Sequence, residues 1–174
     1  MRWTKTILSL AAVGIGIVLA GCAGSGTTSG SNAGGGATTS SSAGLNDRVK
    51  DGKFEFTVTS VKCGVPQVGP DAVGEKAQGQ FCLVSVSVKN IGTKAQLLDD
   101  SSQYAYSPQG VKYSSNSVAG MELNGSGSST FLTEINPGNQ VTGKLVFDIP
   151  AGATISKLEL HDSPFSGGVT VSVG

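Results

Sequence analysis

The 174-residue chain has one tryptophan, one histidine and no apolar run long enough to cross a membrane. Its main apolar stretch, the 14 residues from Ile7 to Ala20, falls short of the roughly 20 that a helix needs to span the hydrocarbon core. With His161 as the only histidine and Met121 as the only methionine beyond the first residue, zinc and copper sites lack a ligand set unless cysteines join them. No Gly-x-Ser-x-Gly elbow accompanies His161, Asp162 and Ser163, so a Ser-His-Asp apparatus has no constrained nucleophile. His161 therefore reads as a solvated strand end, and the chain is expected to use no catalytic residue and no cofactor. Positive charge is not in excess either, since 12 basic residues face 12 acidic ones, which argues against a polybasic nucleic-acid-binding surface.

What is present begins at the amino terminus. Arg2 and Lys5 form a basic head, the apolar run follows, and it ends in small residues, which is the grammar of a secretory signal. The last residues, Leu19-Ala20-Gly21-Cys22, resemble the lipobox of bacterial lipoproteins at all four positions. That resemblance implies a diacylglyceryl group on the Cys22 thiol and cleavage between Gly21 and Cys22. Two acyl chains meet the two-signal condition for lasting membrane attachment. The alternative is ordinary secretion, with Cys22 a free thiol. Either way Arg2 and Lys5 leave with the signal, so 10 basic residues remain against 12 acidic ones.

Assigning Cys22 to lipid leaves an even pair, Cys63 and Cys82, which an oxidising compartment favours as a disulfide over two reduced thiols. Such a bridge closes a loop of about 20 residues, and chain entropy gives it about 3 kcal/mol. Between Ala23 and Leu45 the chain is uncharged and consists of Gly, Ser, Thr and Ala apart from Asn32 and Leu45. Such a stretch buries too little to offset its ordering entropy and is expected to be a disordered tether, on the order of 25–30 Å in root-mean-square span. The expected organisation is a signal over 1–21, a lipidated tether over 22–45 and one domain over 46–174.

Within that domain no sustained 3.6-residue apolar period occurs, while alternation with period two recurs. It predicts strands over about Lys53 to Lys62 and Phe81 to Lys89, the latter with Cys82, Val84, Val86 and Val88 on one face. Weaker segments at Gln96 to Asp99 and Gln103 to Tyr106 precede a short strand around Val111 to Tyr113. Thr130 to Ile135, Val141 to Ile149, Ile155 to His161 and Val169 to Val173 complete the set. Gly64 to Gln80, with two prolines and four glycines, is expected to be an irregular loop stapled at its ends, and Ser114 to Ser129 a long exposed one. Seven or eight short strands separated by turn residues argue for an antiparallel β-sandwich.

The run from Gly52-Lys53-Phe54 through Lys89-Asn90-Ile91-Gly92 to Ile135-Asn136-Pro137-Gly138-Asn139 and Gly143-Lys144-Leu145-Val146-Phe147-Asp148-Ile149-Pro150 resembles a family of Gram-positive, largely actinobacterial, lipoproteins. Members of that family are similar in fold to a secreted mycobacterial antigen. The resemblance covers nearly all of residues 47 to 173 and implies an immunoglobulin-like sandwich and export, with no reaction attached. The sequence departs from antibody-type domains. Trp3 lies in the signal, so no core tryptophan exists, and Cys63 and Cys82 are too close in sequence for the inter-sheet bridge.

Candidate contact residues are few. Asp99 and Asp100, followed by Ser101 and Ser102, could offer oxygens to calcium, although the spaced EF-hand pattern is missing. Tyr104, Tyr106 and Tyr113 could form an exposed aromatic patch or pack at a sheet edge. Asn124 to Ser129 has phosphate-loop composition without the Gly-Lys-Ser/Thr that would complete it. The expected function is a membrane-anchored, non-catalytic immunoglobulin-like module that meets an envelope protein, with the loops Gly64 to Gln80 and Ser114 to Ser129 as contact places. The alternative is a solute- or ion-binding lipoprotein serving a transporter or sensor, with Tyr104, Tyr106, Asp99 and Asp100 in its pocket.

Overall fold

The computed structural model describes residues 42–124, 131 and 133–174. The signal, Cys22 and most of the tether lie outside the described residues, as does the stretch from Gly125 to Ser129. Eight strands form two four-stranded antiparallel sheets. The first sheet has the order β1 (Arg48–Asp51), β2 (Phe54–Val68), β3 (Glu75–Asn90) and β6 (Gln140–Ile149). In the second the order is β5 (Lys112–Ser114), β4 (Tyr104–Tyr106), β7 (Lys157–Leu160) and β8 (Val169–Ser172). This is the antiparallel sandwich that the alternation predicts, in the immunoglobulin-like form that the resemblance implies, with β1 added to the expected set; Gln96 to Asp99 and the described part of Thr130 to Ile135 are not strands and meet only at the isolated bridge Gln96–Ile135, too short a pairing to form a ladder.

The core follows from the pleat, which sends alternate side chains to opposite faces. Phe54, Phe56 and Val58 of β2 bury inward, as do Cys82, Val84, Val86 and Val88 of β3. Leu145, Phe147 and Ile149 of β6 join them, and the second sheet answers with Ala105, Leu158, Leu160 and Val171. Gly143 belongs to this packing, because a Cβ there would stand 2.7 Å from the Phe131 ring.

Two expected loops are structured. Gly64 to Gln80 is mostly strand: β2 and β3 run on past the cysteines, leaving only residues 69–74 as the tip. Pro66 and Gly64 are accommodated at register shifts between Lys62 and Val65 and between Val65 and Gln67, where the ladder is already interrupted. The Cys63–Cys82 disulfide thus joins neighbouring strands inside a long hairpin instead of closing an irregular loop. In the second expected loop, Ser117–Asn124 is a helix, α1. Asn116 caps it, its Oδ1 accepting from the Ala119 amide at 3.0 Å. Ala119 and Leu123 pack on Val68, Phe81 and Val146, forming a small second core on the outer face of the first sheet. The Asn124 side chain then imitates a strand residue at the open edge of β6, accepting from the Lys144 amide and donating to its carbonyl, both at 2.9 Å.

The turn residues that carry the family resemblance meet in space. Asn90, fully buried, donates its backbone N–H to the Asn139 carbonyl and accepts from the Gly138 amide. Its side chain donates to the carbonyls of Ile135 and Lys94 and accepts from the Gly92 amide. One asparagine therefore ties the end of β3 to the Asn136–Asn139 turn that starts β6. A second clasp joins the sheets at the same end. Asp51 accepts from the Asp162 amide at 2.7 Å, and Asp162 accepts from the Lys53 amide at 3.0 Å. The folded part takes in Ala43, whose carbonyl accepts from Ser172 of β8.

Candidate functional site

Helix α1 covers part of the outer face of the first sheet, whereas among the described residues no helix covers that of the second. Because Ala105, Leu158, Leu160 and Val171 point into the core, their neighbours along each strand point out. Strand register arranges those neighbours in two transverse rows. Lys112, Tyr106, Lys157 and Ser172 form one; Ser114, Tyr104, Glu159 and Thr170 form the other.

The first row places two ammonium groups on aromatic rings. Lys112 Nζ stands 3.4 Å from the Tyr104 ring centre and 5.8 Å from that of Tyr106, and Lys157 Nζ stands 4.1 Å from Tyr106. These cation–π contacts hold side chains that would otherwise sample many rotamers. Glu159 organises the second row. Its Oε2 accepts from the Tyr106 hydroxyl at 3.0 Å, its Oε1 lies 3.0 Å from His161 Nε2, and Lys112 is 3.9 Å away. Partial burial would by itself raise the Glu159 carboxyl. The hydrogen bonds from His161 and Tyr106 and the charge of Lys112 outweigh it and hold the group below its ordinary range. Burial first, then the bond to Glu159, pushes the Tyr106 hydroxyl up.

His161 is not a solvated strand end. Its side chain is 10% exposed, packs edge-on against Tyr104 at 5.6 Å, and has Ser166 Oγ 3.2 Å from Nδ1. Its backbone is gripped by Gln103, a buried amide that accepts from the His161 N–H and donates to its carbonyl, both at 2.9 Å. Gly168 lies against the ring at φ +72°, where a Cβ would come within 2.5 Å of Cε1. These contacts draw the β7–β8 loop onto the outward side of the sheet. One residue from Ser166, Phe165 is 97% exposed.

Ser166, His161 and Glu159 are connected like a nucleophile, base and orienting acid. The chemistry does not follow from the connection. The Ser166 hydroxyl donates to the Ser163 carbonyl at 3.0 Å, and Glu159 is shared among three donors. A triad also needs a nucleophile raised on a constrained turn, with donors aimed at a developing oxyanion.

Of the residues proposed from sequence, Tyr104 and Tyr106 lie side by side on this face, half-buried, while Tyr113 packs against the core from β5. Asp99 and Asp100 are not brought to them. Asp99 caps the 3-10 turn Asp100–Ser102, accepting from the Ser101 amide and hydroxyl and the Ser102 hydroxyl. Burial opposes its ionisation, but those bonds prevail and lower its pKa. Asp100 accepts from Ser117, tying that turn to α1. Among the described residues no three His, Cys, Asp or Glu side chains gather to hold a metal. Sequence reasoning missed Lys112, Lys157 and Glu159, although the outward phase of Tyr104 and Tyr106 and of Lys157 and Glu159 was a signal that could have found them. Elsewhere, a depression of about 440 Å³ lies beside Gln78, Gly79 and Pro150. Its carboxylate, Asp148, is taken up by the amides of Gln78 and Gly79.

Comparison with solved structures places the fold among known sandwiches. The chain is similar to the secreted protein MPT63 of Mycobacterium tuberculosis, with 15% identity, a TM-score of 0.54, and 75% of this chain and 95% of that one covered. It is similar to YjhA of Bacillus subtilis, with 15% identity, a TM-score of 0.53, and coverage of 76% and 99%. A third, the candidate lipoprotein YcdA of Bacillus subtilis, shows 17% identity and a TM-score of 0.50, with coverage of 72% of this chain and 38% of that one. No curated protein matches the chain. The profile of the domain of unknown function DUF4352 matches residues 43–170, and the chain belongs to that family.

Proposed function

We propose that the protein is a lipid-anchored, extracytoplasmic binding module without catalytic activity, and that its contact surface is the outer face of the second sheet. The observation that carries the reading is the difference between the two outer faces. Part of one is packed under α1, and the other carries an ordered array of tyrosines and lysines. The Leu19-Ala20-Gly21-Cys22 motif supports the anchor, and similarity to a secreted protein and to a candidate lipoprotein supports the location. No helix among the described residues is long and apolar enough to cross a membrane. The two contact loops expected from sequence give way to the sheet face, because one is largely hairpin and the other largely helix in its described part.

Three measurements test the reading. The intact mass of protein extracted from native membranes is expected to show acylated Cys22 as the first residue; an unlipidated chain in the medium would replace the anchor with a diffusible protein. A photo-crosslinker at Ser114, an exposed position on the face, is expected to capture an envelope protein, and repeated failure to capture any would remove the binding role. A fluorophosphonate probe is expected to leave Ser166 unlabelled, and labelling would overturn the non-catalytic reading.

A further inference from the structure

The exposed face has a second part, reached through His161. Lys112 touches Tyr104 and Glu159, Lys157 reaches Glu159 through Tyr106, and from Tyr104 and Glu159 the contacts pass to His161 and then to Ser166, with Phe165 beside Ser166 at the loop tip. Among the described residues nothing covers the Phe165 ring. Aromatic residues are enriched at protein interfaces, where one seated in a desolvated pocket serves as an anchor and charges lie toward the rim. The cationic row runs against the sign of the domain, which carries 12 acidic and 10 basic residues beyond the leader. Among the described ion pairs Lys112 shares Glu159 and Lys157 has none, so the row keeps positive charge for an outside partner.

We propose that this surface docks onto a protein whose contact patch has an apolar pocket for Phe165 and carboxylates opposite Lys112 and Lys157. The proposal rests on the reading of the sheet face as the contact surface and adds the partner's chemistry. A protein fits better than a lipid surface for two reasons. Ammonium groups fixed on tyrosine rings are pre-organised for charges at set positions, which a fluid bilayer does not offer. A single phenylalanine is also too small an apolar insertion for stable lipid binding, whereas one aromatic in a desolvated pocket dominates many protein interfaces.

The test uses the full lipidated chain in native membranes. With benzoylphenylalanine in place of Phe165, one protein adduct is expected, and the captured peptide should contain apolar residues flanked by Asp or Glu. Lys112→Gln with Lys157→Gln should lower its yield, as should added salt. Binding of the isolated partner should weaken by roughly tenfold or more in Phe165→Ser. Phe165 is exposed, so the melting curve of Phe165→Ser should overlay the parent, and the lysine variant, which loses its ring contacts, should still melt in one cooperative transition, which excludes misfolding. The proposal is overturned by adducts with lipid alone, by capture indifferent to both lysines, or by co-sedimentation with phosphatidylglycerol vesicles that Phe165→Ser abolishes. Capture from Ser114 without capture from position 165 would sink this inference and leave the sheet face as the contact surface. Capture from neither would remove both.

Discussion

Gln103 offers the sharpest test of how the site is held. Its side chain lies in a residue only 1% exposed and makes three hydrogen bonds, one to the Asp99 carbonyl and one to each backbone group of His161. Gln103→Leu keeps the volume and removes all three. Asp99 O retains a bond from the Ser102 amide at 3.4 Å, so the loss falls on the His161 N–H and carbonyl. A buried backbone group left unpaired costs about 1–3 kcal/mol, which puts the variant, with two such groups, roughly 2–6 kcal/mol below the parent. Against a total of about 5–15 kcal/mol that is a large fraction. Urea unfolding of the oxidised protein should show it as a midpoint lower by about 1–3 M at an m-value of about 2 kcal/mol/M. A loss under about 1 kcal/mol with unchanged m would refute the reasoning, because it would mean that water or a shifted strand satisfies His161 as well as Gln103 does. Gln103→Glu sharpens the test. Its carboxylate cannot donate to the two carbonyls at neutral pH, but the protonated acid can donate to one. Its deficit relative to the parent should therefore shrink as pH falls.

Three further outcomes follow from the same structure. The Asp162 pKa is lowered: burial alone would raise it, but the bonds from the Lys53 amide and Ser163 and the Lys53 charge prevail. The stability that it adds is present above its unfolded value and lost as pH falls through the lower folded one. The gap between Asp162→Asn and the parent in urea titrations should thus be largest at neutral pH and close as pH falls through the lowered folded value; a constant gap would show that the charge is not involved. Replacing Cys63 and Cys82 together by alanine should cost about 2–4 kcal/mol, read from thermal or urea unfolding against the oxidised parent. Gly168→Ala should cost about 1–3 kcal/mol from its left-handed backbone alone. It should also displace the His161 ring and so shift the Tyr104 ring resonances, and unchanged spectra would contradict the close approach.

Alternation made the sandwich readable because each strand has one inward face. Cys82, Val84, Val86 and Val88 could be placed from sequence, and they line the core. Strand β4 was readable only weakly, since three residues hold barely one period, and β5 was placed by the turn before it. Helix α1 was hidden by its shortness. Its eight residues, Ser117-Val118-Ala119-Gly120-Met121-Glu122-Leu123-Asn124, make barely two turns and set no sustained apolar stripe, and what stabilises it is docking on Phe81 and Val146 and the Asn116 cap, both matters of tertiary placement. The hairpin beyond Cys63 was obscured by Pro66 and the glycines, which are turn signals unless a bulge receives them. At the site, Tyr104 and Tyr106 stood out as aromatics. Lys112 and Lys157 did not, because surface lysines are ordinary until a register brings them over a ring. His161 was misjudged for a related reason: its burial depends on Gln103 and on a loop that folds back through Ser166, neither of which is local in sequence.

Asn90 joins the end of β3 both to the loop that follows it and to the turn before β6, and the residues that carry the family resemblance cluster around it. Such residues act as joinery: they fix where two strand ends meet and leave the outward rows uncommitted. Two proteins that share these turns inherit one frame, and each is free to dress it for a different customer. Sorting such proteins by whom they meet calls for comparing the outward positions of β4, β5 and β7 and the tip of the β7–β8 loop, where the Asn-Pro-Gly signature has no say.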